Sequence, residues 1–97
     1  MPRYISLMKY TSQGSASIKD SPDRLKTARA AIEAAGGKLL SYHLTMGQYD
    51  GVVITEFPSD EAAATLLLAI GAQGNIATET MRAFTEEEMS GIVGNLP

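Results

Sequence analysis

The chain has no cysteine and no tryptophan, and it has a single histidine, His43. Without cysteine there are no disulfides, thiolate metal sites or cysteine nucleophiles. One histidine rules out a histidine-rich metal site within one chain, and no carboxylate spacing resembles a calcium or magnesium loop. No metal is expected. Basic residues are also in short supply: Lys and Arg number 8 against 11 Asp and Glu, a net charge of −3. Nucleic-acid binders carry a basic patch or stripe, so nucleic acid is not an expected partner. The longest run of small or apolar residues, Ala62 to Ala72, is broken by Thr65 and Gly71. It is far short of the ~20 residues that span a bilayer. Met1-Pro2-Arg3-Tyr4 lacks the apolar stretch of a signal peptide, so no membrane association and a cytoplasmic location are expected. No glycine-rich phosphate loop precedes a helix, since Gly71-Ala72-Gln73-Gly74 follows one instead. No cofactor is expected.

What is present fits one domain over all 97 residues. Ile5, Leu7, Met8 and Tyr10 mark a strand over 4–10. Residues 11–20 read as a long Ser- and Gly-containing loop of the kind that serves as a lid. Ser21-Pro22-Asp23 starts a helix, with Ser21 as the cap, proline in the first turn and an acid near the dipole's positive end. Leu25, Ala28, Ile32 and Ala35 form its buried stripe, and Gly36-Gly37 ends it. Strands are expected over 38–46 and 52–57, joined as an antiparallel hairpin. Ser59-Asp60-Glu61 caps a second helix with Ala63, Leu66, Leu67 and Ile70 on one face. A fourth strand runs over 75–84. Thr85-Glu86-Glu87-Glu88 has the form of a capping box and opens a short tail helix at about 86–93. The order βαββαβ predicts an α+β ferredoxin-like plait, a four-stranded antiparallel sheet with both helices on one face.

The other sheet face needs a cover. Strand one offers Ile5 and Leu7 to one side and Tyr4, Ser6, Met8 and Tyr10 to the other. Strand two offers Leu40, Tyr42 and Leu44 against Leu39, Ser41, His43 and Thr45. Four strands at ~4.8 Å spacing and ~17–20 Å length present roughly 350 Å². A partly apolar face of that size rivals the largest patch a monomer exposes. A homodimer or higher homo-oligomer, joined sheet to sheet with help from the tail helices, is the expected assembly.

The hairpin Thr45-Met46-Gly47-Gln48-Tyr49-Asp50 resembles the signature of the GYD domain family. So do Tyr4-Ile5-Ser6-Leu7-Met8-Lys9-Tyr10-Thr11, Lys19-Asp20-Ser21-Pro22, Gly74 to Phe84 and Thr85-Glu86-Glu87-Glu88. In order and spacing they span nearly the whole chain. The resemblance implies a dimeric α+β barrel in which two plaits join their open faces, and it implies little about activity. The chain departs from the family pattern at Tyr10, where members often carry tryptophan, at Ala77, where a basic residue is common, and at His43, where an aromatic residue is expected.

Several residues are candidates for chemistry. Gly47, Tyr49 and Asp50 read either as turn formers or as a phenol and a carboxylate offered to a ligand. His43 is the natural proton-transfer group because its ordinary pKa lies near neutrality. It also reads as an ordinary inter-sheet histidine. Arg82, in register with Thr78 and Thr80, would hold an anionic group or pair with a nearby glutamate. Tyr10, Ser6 and Thr45, with Tyr4 and Met8, would line the same cavity. Two functions follow. One is a homodimer enclosing a small-molecule pocket between its sheets, with cofactor-free acid/base chemistry at His43. The alternative is a non-catalytic small-molecule-binding or assembly module. Whether the protein is an enzyme stays open at this level. Convergence of His43, Arg82 and a tyrosine hydroxyl in one cavity would favour the first. An RNA-recognition plait shares the topology but needs a basic surface.

Overall fold

In the computed structural model, which describes Met1 to Pro97, alternating residues build β1 (Arg3–Tyr10) at the centre of the sheet. A short helix α1 (Ser12–Ala16) and a 3-10 turn (Ile18–Asp20) lead into α2 (Ser21–Ala34). Then come β2 (Lys38–Leu44), β3 (Gly51–Glu56), α3 (Asp60–Ala72), β4 (Ile76–Ala83) and α4 (Glu86–Gly94). The sheet order is β2-β3-β1-β4, and each neighbouring pair is antiparallel. This is the α+β plait the element order predicts.

Local chemistry fixes the ends. Ser59 accepts from the Ala62 N–H at 3.2 Å to start α3. Thr85 and Glu88 exchange reciprocal bonds of 2.9 and 3.1 Å as a capping box for α4. Gly36 and Gly74 sit at φ +83° and +81° where the chain leaves α2 and α3, a region only glycine enters cheaply.

Four local expectations do not hold. Residues 11–20 do not form a free lid. Thr11 N–H donates to the Asn75 carbonyl at 3.1 Å, its hydroxyl caps α1 through Gly14 N–H, and Arg24 donates to the Ser17 carbonyl at 2.9 Å. Ser21 does not cap α2, because the 3-10 turn runs straight into the helix and Asp20 takes the cap position without a side-chain bond. Finally, β2 stops at Leu44, and Ala35 is exposed beyond the end of α2.

The core gathers Tyr4, Ile32, Phe57 and Ala63, with Leu39, Ala62 and Leu66 packed around it. Tyr4 meets Phe57 edge-on, with centroids 5.8 Å apart and planes at 68°. These residues pin the end of α2 to the start of α3 over one end of the sheet. Towards the other end the two helices present Ala28, Ala31 and Ala69. Side chains that small do not fill the space above the sheet, and a cleft remains.

Candidate functional site

The cleft lies between α2, α3 and the sheet and has a volume of about 410 Å³. Ligand pockets generally fall between ~300 and 1,000 Å³. Of its 25 lining residues, 15 are hydrophobic, so the walls favour an apolar occupant. Its floor holds Ser6, Met8 and Thr55, all buried, with Tyr10, Tyr42 and Val53. The Ser6 and Thr80 hydroxyls bond to each other at 2.7 Å. At one end the Tyr10 hydroxyl stands 3.0 Å from Ser21 Oγ and 3.3 Å from the Tyr42 hydroxyl. The Tyr42 phenol is pushed up to about 12, first by burial, then by its hydrogen bond with Tyr10 and the charges of Tyr10 and Asp50.

Tyr4, Ser6, Met8 and Tyr10 point towards the helices and not to the open side. Alternation divides a strand's residues into two sets without saying which set is covered. Here all four lie beneath α2 and α3, Tyr4 in the core and Ser6, Met8 and Tyr10 along the cleft. In β2 a bulge between Leu39 and Ser41 breaks the alternation. Leu39 and Tyr42 therefore share the helix side, paired with Thr55 and Val53. The open face carries Ser41-Ile54-Ile5-Met81 in one row and His43-Val52-Leu7-Glu79 in the next. Arg3 and Glu56 form a 3.0 Å ion pair beside them.

The hairpin belongs to the open side and the rim. Gly47 sits at φ +121°. Thr45 donates its N–H to the Asp50 carbonyl at 2.9 Å and its hydroxyl to the Tyr49 carbonyl at 2.7 Å. Asp50 Oδ2 accepts the Tyr10 N–H at 2.9 Å, while its own N–H donates to the Met8 carbonyl at 2.8 Å. These bonds continue the β1 ladder past the end of β3. The Tyr49 hydroxyl donates to Glu79 at 2.6 Å, and Lys9 Nζ stands 5.4 Å from its ring centroid. That bond to Glu79 is the first cause of a raised Tyr49 pKa. Tyr49, Lys9, Leu7 and Glu79 line a second, smaller hollow of about 210 Å³.

A family model, the GYD domain, matches residues 4–93. The chain belongs to the GYD domain family. The hairpin residues Gly47, Tyr49 and Asp50 lie within the matched stretch. A protein of Thermus thermophilus called a glutamine synthetase and cystathionine beta-lyase binding protein is 26% identical over 84 residues, covering 86% of this chain and 88% of that one. Among solved structures, a feast or famine regulatory protein from M. tuberculosis, complexed with L-methionine, superposes with a TM-score of 0.66 at 16% identity. The match covers 88% of the GYD domain and 51% of the regulator. A 5-chloro-2-hydroxyhydroquinone dehydrochlorinase from Burkholderia phenoliruptrix gives 0.61 at 14% identity, covering 90% and 97%. At such identities the shared content is the fold.

In this GYD domain the candidate residues do not form one site. Ser6 and Tyr10 line the helix-side cleft. Tyr49 and the exposed His43 lie across the sheet from it, on the open side, and Thr45 and Asp50 tie the hairpin. Arg82 is opposite Tyr4 and Tyr10 opposite Ile76, a separation of roughly 20 Å along β4. Arg82 stacks against the Phe84 ring at 4.4 Å and donates to the Arg3 carbonyl at 3.3 Å. No three acidic or histidine side chains gather as metal ligands would, and no helix is long and apolar enough to cross a membrane. Sequence reading missed Tyr42 and Ser21. Tyr42 was hidden by the bulge, and Ser21 by its resemblance to a cap.

Proposed function

We propose that this GYD domain is a non-catalytic small-molecule-binding module that works as a homodimer, each subunit holding its ligand in the cleft between α2, α3 and the sheet. The observation that carries this is the cleft itself, apolar along its walls and ending on three hydroxyls. Cofactor-free acid/base chemistry lacks the convergence it requires, since His43 lies on the open face and Arg82 on the helix side, against the Tyr4 and Phe84 rings. Ile5, Leu7, Val52, Ile54 and Met81 at the centre of the open face support pairing with a second copy. The cytoplasm is the proposed location.

An unbiased thermal-shift screen tests the binding function. A ligand at a concentration well above its Kd stabilises by RT ln(1 + [L]/Kd). Compounds that raise the melting temperature of the wild-type protein should fail to do so for Ala28→Phe, which fills the cleft. Hits that stabilise both proteins equally, or a screen without hits, would contradict the proposal.

A second function, docking onto another protein, is favoured by α4. Its stripe of Met89, Ile92 and Val93, continued by Leu96, is exposed, and the Thermus relative is named as a binding protein for two enzymes. Removal of residues 85–97 should then abolish capture of a partner while leaving ligand stabilisation intact.

A further inference from the structure

We infer that the hydroxyl end of the cleft selects an uncharged ligand that carries a hydrogen-bond acceptor, a carbonyl or ether oxygen, on an apolar body. The inference rests on the cleft being the binding site and goes on to the class of molecule it takes.

Tyr10, Tyr42 and Ser21 each bring one hydroxyl proton. Two links join them, Tyr10 to Ser21 at 3.0 Å and Tyr10 to Tyr42 at 3.3 Å. Each link consumes one proton. Whichever way the two bonds run, one proton is left over, on Tyr42, Ser21 or Tyr10, and all three residues line the cleft. All three residues are half-buried, so a ligand that shields the spare O–H from water must supply an acceptor in its place.

Charge around the hydroxyls narrows the choice. Asp20 and Asp23 line the cleft at this end. The Asp50 carboxylate lies behind Tyr10, accepting its N–H at 2.9 Å. The one cation among the lining residues, Arg24, directs its N–H groups at the Ser17 carbonyl and hydroxyl, at 2.9 and 3.1 Å, and at the Gly14 carbonyl at 3.4 Å. An anion would meet three carboxylates against one guanidinium already engaged. An ammonium group has no acceptor and would leave the spare O–H unpaired, whatever the carboxylates contribute. The raised Tyr42 pKa keeps that phenol protonated across the neutral range. Along the rest of the cleft Leu25, Ala28, Leu66 and Ile70 accept a hydrocarbon body.

Three molecules of similar shape test this in the intact protein: acetophenone, benzoate and isopropylbenzene. Binding is followed by amide NMR shifts at Ala28, Ile70 and Tyr42. Acetophenone should move these resonances and bind at least about tenfold more tightly than benzoate, the equivalent of ~1.4 kcal/mol. The carbonyl 13C resonance of bound, labelled acetophenone should stand downfield of its value in cyclohexane. Replacing all three hydroxyls (Tyr10→Phe, Tyr42→Phe, Ser21→Ala) should weaken acetophenone by roughly fivefold, the scale of one neutral hydrogen bond, and leave isopropylbenzene unchanged. Benzoate binding as tightly as acetophenone, or a triple variant that treats ketone and hydrocarbon alike, would overturn the ligand class while leaving the cleft as a site. If none of the three moves the cleft resonances at its solubility limit, the binding proposal itself falls. The wild-type comparisons decide the matter even if the triple variant does not fold.

Discussion

Asp50 offers the most direct energetic test of the GYD hairpin. Its backbone N–H and carbonyl already serve Met8 and Thr45, at 2.8 and 2.9 Å, so substitution leaves those bonds in place. Only the side-chain bond from Tyr10 N–H to Oδ2, 2.9 Å long, is removed. A hydrogen bond to a charged group is worth about 1.5–3 kcal/mol, and a half-buried donor left without its acceptor is partly rehydrated. Asp50→Ala should therefore cost about 2 kcal/mol. For a domain of this length that corresponds to roughly 8–16 °C in melting temperature. Asp50→Asn keeps an acceptor oxygen in place and should cost about 1 kcal/mol or less. Urea unfolding at fixed protomer concentration measures both, the fixed concentration being needed because assembly contributes to apparent stability. A loss below ~0.5 kcal/mol for Asp50→Ala, or equal losses for the two variants, would refute the role given to this bond.

Other outcomes follow from the same structure. Gly14→Ala would place a Cβ 2.0 Å from the Asn75 carbonyl oxygen, so it should destabilise by about 2–3 kcal/mol; Gly91→Ala, inside α4 with nothing within 4 Å, should instead be neutral or stabilising by up to ~1 kcal/mol in the same unfolding assay. Tyr4 is pushed up to about 12, first by burial and then by its hydrogen bond to Asp60. Its folded form holds the proton more tightly than the unfolded chain, whose phenol titrates near ~10. That contribution is complete below pH ~10 and is lost as pH rises through about 12, so stability should fall over this window in alkaline titrations and fall less steeply in Tyr4→Phe. His43→Gln should leave acetophenone affinity unchanged, because His43 lies across the sheet from the cleft.

Much of the fold was legible because its signals are local. Capping chemistry at Ser59 and Thr85, glycines at Gly36 and Gly74, and the periodicity of α3 each act within a few residues. The site was less legible because its signals are relational. Parity separated Tyr4, Ser6, Met8 and Tyr10 from Ile5 and Leu7, but only the packing of alanine-rich helices decides which set is covered. The bulge near Leu40 moved Tyr42 beside Tyr10, and no single-strand pattern announces such a shift. Ser21 matched a helix cap by type, yet its hydroxyl serves Tyr10. Arg82 and His43 were singled out for their chemistry, and the topology holds them apart.

The central claim is that the sheet divides labour, with assembly on its open face and binding beneath its helices. Sedimentation equilibrium of the wild-type protein and Ile54→Lys, each at micromolar concentration with and without acetophenone, tests it most directly. The wild type should show about twice the 10.3 kDa chain mass, Ile54→Lys should shift towards the monomer, and both should retain acetophenone binding. A wild-type mass of 10.3 kDa throughout, or loss of binding together with loss of the dimer, would contradict it.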